Sequence, residues 1–358
     1  MQALHGLIDL YKVKDLYSGL GQFSLHLGME LATEPKGIQF DFLLPDVASA
    51  KLFPANASVN FVKAGFQKRY LPGMNPDYDF WHCTQQFPSH LPKKGTPMML
   101  TVHDLNFLVD KPKSKAAQYL KRLQQNVDRA QIITAISEFS KKEIEQHIDL
   151  KGKKVEVVYN GVSSTTAPPQ QPSININKPF LFALGVFKST KNFHVLLEMV
   201  QNMHDVQLII AGNNQTTYGE KIKTLISEKH LEEKVMLCGT VSEAEKKWLY
   251  QNCMAFLFPS IAEGFGIPLV EAMQEGKPCF ISNKGSLPEI GGTCVYTFEH
   301  FDPDYMQQFF RNKLEDFKQK EQELREKMRI HVAQFEWKTC AQSYIALYQK
   351  AAALRSNP

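Results

Sequence analysis

The sequence predicts an α/β fold of two similar domains, each built around a parallel sheet. Three observations predict it. Short apolar runs alternate with helical patterns through both halves, as strand–helix units do when they return to one sheet. The chain has 358 residues, too long for one ordinary core and comfortable for two domains. Residues 163–177, rich in Ser, Thr, Pro and Gln, break every period and read as a connection between domains. The expected boundaries are 1–165, 166–335 and a final helix over 336–358.

In the first half, apolar runs predict strands at 38–42, 58–62, 80–82, 98–102, 131–135 and 156–159. Before them, Ser18-Gly19-Leu20-Gly21-Gln22 precedes a helical pattern over 23–31. It reads either as a turn or as a glycine loop able to wrap a phosphate or a sugar. The dinucleotide fingerprint is not met, because Ser24 stands where its third glycine belongs. Ser137 is placed to cap a helix continuing over 140–145. Asn160-Gly161 reads as a turn. The second half repeats the scheme, with strands at 180–184, 206–210, 235–237, 255–258 and 278–281. Helical patterning covers 193–203, 218–228, 242–252 and 305–329, and an amphipathic helix over 340–354 aligns Tyr344, Leu347, Tyr348 and Ala351.

Composition narrows the class. Hydrophobic residues make up 43% and charged residues 22%, an ordinary soluble balance. No run of 18 apolar residues suggests a membrane span, and residues 1–15 lack a secretory pattern. Six scattered cysteines without a C-x-x-C pair suit reduced thiols in a cytoplasmic protein. No His/Cys/Asp/Glu cluster has metal-ligand spacing. The net charge of +4 belongs to the first half, where residues 1–165 hold 20 Lys+Arg against 16 Asp+Glu. That excess reads as a solvated surface or, more sharply, as attraction to anionic lipid headgroups or a phosphorylated acceptor. The second reading places the chain at the inner membrane face. Nucleic acid is not expected, because no motif interleaves aromatic and basic residues.

The most informative stretch runs from Ala255 to Glu289. An apolar strand, Ala255 to Phe258, leads through a polar loop into a helix at Pro268, a residue suited to the first helical position. Gly276 is the expected helix end. Free N–H groups of the first turn, from Phe265, Gly266 and Ile267 to Leu269, would face the strand's carboxyl end and hold a phosphate. Glu263 and Glu271 flank that anion site. A carboxylate beside a diphosphate repels it unless aimed at neutral groups, which points to hydroxyls of a sugar on one side and a ribose on the other.

The pattern Glu263-Gly264-Phe265-Gly266-Ile267-Pro268-Leu269-Val270-Glu271, followed by Ser282-Asn283 and Leu287-Pro288-Glu289-Ile290, resembles the donor site of retaining glycosyltransferases with the GT-B fold. The likeness is to glycosyltransferase family 4. It implies two Rossmann-like domains facing a central cleft, with a final helix packing back on the first. Other segments carry the resemblance further. Gly19 and Gly21 match the glycine loop lining the family's cleft. Thr101-Val102-His103-Asp104 matches its T-x-H-D, where His103 would border the transferred sugar and Asp104 anchor the loop. Gly185 and Lys191-Asn192 match its G-R-x4-K-N, in which Arg and Lys grip the diphosphate. The arginine position is Val186 here, and Lys188 is a candidate substitute or a solvated side chain. Gly212 would let the nucleotide approach, and Gly239-Thr240-Val241 is similar to the base-reading G-x-V segment.

The resemblance implies transfer of a hexose, mannose among the candidates, from a GDP- or UDP-linked donor to a glycan or lipid-linked glycan. Polysaccharide or lipopolysaccharide assembly is the implied setting. The implied chemistry needs no metal or cofactor and retains the anomeric configuration. Lys191 would stabilise the leaving diphosphate, Glu263 would orient the sugar, and Glu271 would bind the ribose. Alternatives are a sugar-nucleotide epimerase and a catalytically silent scaffold on the same fold.

Overall fold

The computed structural model describes residues 3–33, 37–55, 59–65, 69–163 and 166–355. The chain forms two compact units, residues 1–161 with 335–358, and residues 162–334. Among the described residues, each unit contains one wholly parallel sheet covered by helices.

The N-terminal unit runs β1 (Leu4–Asp9), α1 (Gly19–Thr33), β2 (Ile38–Leu44), β3 (Val59–Lys63), β4 (Phe80–Cys83), β5 (Met98–Val102), α2 (Phe107–Asp110), α3 (Lys113–Arg129), β6 (Ile132–Ala135), α4 (Glu138–His147) and β7 (Val155–Val157). Its seven strands are ordered β3-β2-β1-β4-β5-β6-β7. The interior strand β1 pairs Leu4 with Ile38 on one side and Gly6 with Phe80 on the other. The sequence reading missed it, because His5 and Gly6 interrupt its apolar run. Strands β4, β5 and β6 are buried along their whole length, as parallel strands covered on both faces must be.

One face carries Phe23, Leu27 and Leu31 of α1 beside the C-terminal helix Trp337–Arg355. The other carries Leu123 and Val127 of α3 with Ile144 of α4. The sequence reading did not anticipate α3, whose buried stripe is Ala116, Leu123 and Val127. A hydrogen-bonded chain joins the final helix to the sheet. His82 Nδ1 meets the Tyr348 hydroxyl at 2.9 Å, and His82 Nε2 meets Thr101 Oγ1 at 2.8 Å. Thr101 Oγ1 lies in turn 2.8 Å from Thr134 Oγ1 and 3.1 Å from the Tyr344 hydroxyl. The expected Asn160-Gly161 turn does not form. Gly161 instead passes so close to Trp337 that a Cβ would lie 2.2 Å from its backbone nitrogen.

The C-terminal unit runs β8 (Phe180–Leu184), α5 (His194–Val200), β9 (Gln207–Ala211), α6 (Thr217–Glu228), β10 (Val235–Gly239), α7 (Glu243–Asn252), β11 (Ala255–Phe258), α8 (Ile267–Gln274), β12 (Cys279–Ser282), α9 (Leu287–Gly291), β13 (Tyr296–Phe298), α10 (Pro303–Gln319) and α11 (Glu321–Val332). The strand order, β10-β9-β8-β11-β12-β13, reverses direction between β8 and β11. Ligands of open α/β sheets bind outside the carboxyl ends of strands at such a reversal. The single helix expected over 305–329 is two helices, broken where Lys320 leaves the helical region (φ −121°, ψ 24°). All six cysteines are unpaired. No described helix is long and apolar enough to cross a membrane.

Candidate functional site

At the strand reversal of the C-terminal unit, backbone contacts step across the sheet's carboxyl edge. Gly212 N donates to Gly239 O at 2.7 Å, and Gly185 N donates to Ala211 O at 3.0 Å. Gly212 (φ +128°) sits so near Gly185 that a Cβ would lie 2.0 Å from its carbonyl oxygen. Only glycine fits there. After β8, a single turn, Ser189–Lys191, places Lys191 over Gly185 and ends at Asn192 in the left-handed region (φ 58°). The turn is tied to the loop after β11, because Thr190 O accepts from Ile261 N at 2.8 Å and from the Ser260 hydroxyl at 3.0 Å.

That tie brings Lys191 and Glu263 together. The Lys191 ammonium donates to Glu263 Oε1 and lies 4.9 Å from the centre of the Phe258 ring. Both side chains are largely buried, at 17% and 13% exposure. The loop after β12 braces Glu263 from the other side: Ser286 N donates to Glu263 O at 3.1 Å, and the Ser286 hydroxyl lies 2.9 Å from Phe265 O. Gly266, with φ +103°, caps α8. The helix starts at Ile267, so Pro268 stands second rather than first. Proline brings no N–H, and Leu269 N already donates to Gly266 O at 2.9 Å. Gly266 and Ile267 are therefore the first-turn donors left for an anion, fewer than the sequence suggested. Leu269 and Phe265 are buried packing residues. The helix ends as expected, with Gly276 left-handed at φ +65°.

Glu271 lies one turn into α8. Its Oε1 accepts from the Lys246 ammonium at 2.8 Å and its Oε2 from the Tyr250 hydroxyl at 2.9 Å. Sequence reasoning missed both partners. The signal was the Ser242 capping box that opens α7, which sets Lys246 and Tyr250 four residues apart on one face. Thr240 and Val241 follow β10, just before that cap. Val186 is 36% exposed where an arginine was anticipated. Lys188 is exposed and makes no ion pair among the described residues.

In the N-terminal unit, His103 follows β5 and is buried. Its Nε2 donates to Thr84 O at 2.8 Å, and Phe23 packs edge-on with ring centres 4.7 Å apart. Burial lowers its pKa to about 4, so the ring is neutral with its proton on Nε2. Asp104 does anchor the loop, accepting from Asn106 N at 2.9 Å. The expected glycine loop is not a loop: Gly19 and Gly21 belong to the first turn of α1. Gly19 is exposed, whereas Gly21 is buried against Asp15 O, 1.9 Å from where its Cβ would stand. Asp9, unnoticed because its strand was, ends β1 with Oδ1 accepting from Tyr11 N and Oδ2 without a hydrogen-bond partner.

Comparison with known proteins decides the family. The profile described as Glycosyltransferase Family 4 matches residues 32–165, and that described as Glycosyl transferases group 1 matches residues 165–334. The chain belongs to glycosyltransferase family 4. Its similarity to known proteins extends over both units. It is 25% identical over 277 residues to O-antigen chain mannosyltransferase B of Escherichia coli, covering 73% of this chain and 72% of that one. It is 24% identical over 307 residues to the MMP alpha-(1->4)-mannosyltransferase of Mycolicibacterium hassiacum, covering 80% and 74%. Against O-antigen chain mannosyltransferase RfbU of Salmonella typhimurium the identity is 27% over 185 residues, and the match spans about half (51%) of that relative. Among solved structures, sucrose-phosphate synthase from Thermosynechococcus elongatus matches with a TM-score of 0.77 at 17% identity, covering 98% of this chain and all of that one. Anabaena Alr3699/HepE in complex with UDP-glucose matches with a TM-score of 0.73 at 17% identity, covering 97% and 99%. These likenesses show the GT-B fold.

Proposed function

We propose that this family 4 chain transfers a hexose from a nucleoside-diphosphate sugar to a hydroxyl of a glycan or lipid-linked glycan, retaining the anomeric configuration. The observation that carries this is the Lys191–Glu263 pair, set at the strand reversal beside the start of α8 with Glu271 one turn on. Lys191 and the amides of Gly266 and Ile267 stabilise charge on the diphosphate as the anomeric C–O bond breaks. Glu263 orients the sugar hydroxyls and favours the cationic transition state. The acceptor oxygen attacks the same face, and its proton passes to the departing phosphate oxygen. Glu271 accepts from the ribose hydroxyls. His103, neutral and held by Thr84, borders the transferred sugar through Nδ1. The reading calls on no metal, since lysine and backbone amides supply the positive charge.

Mannosyltransferase relatives support mannose as the sugar and polysaccharide or lipopolysaccharide assembly as the setting. The donor is GDP- or UDP-linked. The exposed cations of α3, Lys113, Lys115, Lys121 and Arg122, suit an acceptor carried on an anionic membrane face. Val186 favours one rival, a scaffold that binds nucleotide without turnover. Release of nucleoside diphosphate from GDP-mannose and from UDP-hexoses, with and without a lipid-linked glycan, separates the two. Acceptor-dependent release supports transfer; nucleotide binding with no release under any condition leaves the scaffold.

A further inference from the structure

The reading above gives Glu271 the ribose, and the surroundings of its carboxylate extend that assignment. An ionised carboxylate has about four lone-pair positions. Two are already taken from inside the protein, one by the Lys246 ammonium at 2.8 Å and one by the Tyr250 hydroxyl at 2.9 Å. Neither donor is free to wander. Lys246 is also held by Glu243 at 3.0 Å and its side chain is only 18% exposed. Tyr250 is fully buried against Phe182 of β8 and Phe256 of β11, with ring centres 5.1 and 5.4 Å away. Its hydroxyl also lies 3.1 Å from Pro268 O, but its single proton goes to the nearer and charged acceptor.

We infer that Lys246 and Tyr250 are positioning residues which clamp Glu271 so that its two remaining lone-pair sites face a vicinal diol, making the site selective for ribose over 2′-deoxyribose. Three features of the geometry support it. The clamp fixes both carboxylate oxygens, so χ rotation cannot trade one diol contact for another. It comes from α7, which follows β10 and the segment proposed to read the base, so base and ribose recognition share one support. The Lys246 ammonium sets a positive charge against Glu271 Oε1, and both carboxylate oxygens face donors. Burial alone would lower the ammonium's pKa, but Glu271 and Glu243 outweigh it and raise the pKa, so the charge persists throughout the working range.

The experiment uses the full chain and isothermal titration with GDP, UDP and ADP, then with the 2′-deoxy form of whichever binds tightest. The wild type is expected to prefer the ribonucleotide by about tenfold, the worth of one hydrogen bond to a charged group. Lys246→Met and Tyr250→Phe are expected to weaken ribonucleotide binding about tenfold, to leave the deoxy form nearly unaffected, and so to bring the ratio close to one. Lys246→Arg is expected to restore part of the preference. A mere staple between α7 and α8 would weaken both nucleotides alike, which overturns the inference. Tyr250→Phe, conservative in shape, provides the same test if Lys246→Met fails to fold. A wild type that binds nucleotides without preferring ribose removes the ribose role of Glu271 itself. No binding by any of the three removes the donor reading and the clamp with it.

Discussion

The ammonium of Lys191 and the carboxylate of Glu263 are paired with each other across the strand reversal, over the face of Phe258. Each group is assigned opposite duties toward a donor, the lysine toward the diphosphate and the glutamate toward the sugar. Donor binding would exchange one internal partner for two external ones, at little cost in unpaired charge. Lys191→Met is expected to lower kcat by about 10²–10³-fold, as loss of one preorganised stabiliser of developing charge does. Each single variant strands a largely buried charge, so Lys191→Met and Glu263→Gln are each expected to cost about 1–3 kcal/mol of stability. The double variant should cost less than their sum. A double-mutant cycle in urea, run beside turnover measurements, checks both points; additive stabilities and unchanged turnover would remove the pair from the mechanism.

The two N-terminal glycines make opposite predictions. A Cβ at Gly19 meets nothing within 4 Å, whereas a Cβ at Gly21 would collide with the Asp15 carbonyl. Both lie in a helix without positive φ. Gly19→Ala is therefore expected to leave stability unchanged or raise it by up to about 1 kcal/mol, alanine being the better helix former. Gly21→Ala is expected to cost about 2–3 kcal/mol through overpacking against backbone. Thermal unfolding of the two variants decides whether Gly21 serves packing; equal melting temperatures would mean that it does not.

What the sequence disclosed follows from how far each signal depends on neighbours in the chain. Strands such as Met98–Val102 and Ala255–Phe258 are uninterrupted apolar runs, and their bounds in the structure match the reading. β1 was hidden because its Gly6 is dictated by the Phe80 ring on another strand, 2.0 Å from where a Cβ would stand. The same holds for Gly161, read as a turn and actually pressed against Trp337. The glutamates of the E-x7-E pattern were visible as local spacing. Their partners, Lys191 from 72 residues away and Lys246 from 25, were not visible as partners. Lys191 was suspected from its match to the family's K-N pair, and nothing local said that Glu263 would hold it.

The C-terminal helix makes a separate prediction. Tyr348 donates or accepts at His82 Nδ1 in a wholly buried setting. Burial drives the His82 pKa down to about 3, so the ring stays neutral and both nitrogens need partners. Tyr348→Phe preserves the stacking on Phe80, with ring centres 4.6 Å apart, but leaves His82 Nδ1 without this partner while Nε2 keeps Thr101. The expected cost is about 1–3 kcal/mol. Amide exchange should show it as faster opening of residues 337–355 and of β4, with the C-terminal unit unchanged. A variant as stable as the wild type would mean that ring packing alone holds the helix.

The pH dependence of stability turns on Asp9. Its carboxyl is fully buried at the end of β1, and burial lifts its pKa to about 7 despite the Tyr11 amide and the Lys12 charge, which pull the other way. The folded state thus holds a proton that the unfolded chain releases near 3.8. Stability from this group is complete below pH 3.8 and is lost progressively as pH rises toward 7, by about 4 kcal/mol in all. His82 and His103 work in the opposite sense. Their pKa values fall from 6.5 to about 3 and about 4, so their contribution is complete above pH 6.5 and is lost as pH falls below it. The two effects oppose each other, but two histidines outweigh one carboxyl, so these three groups together leave the wild type most stable near pH 7, where the proton uptake of the unfolded histidines balances the proton held by Asp9. Asp9→Asn mimics the protonated carboxyl at every pH. Its melting temperature should match the wild type near pH 4, exceed it by a margin that grows to about pH 7, and keep that margin above pH 8. A margin that did not change with pH would show that Asp9 is not the group that titrates.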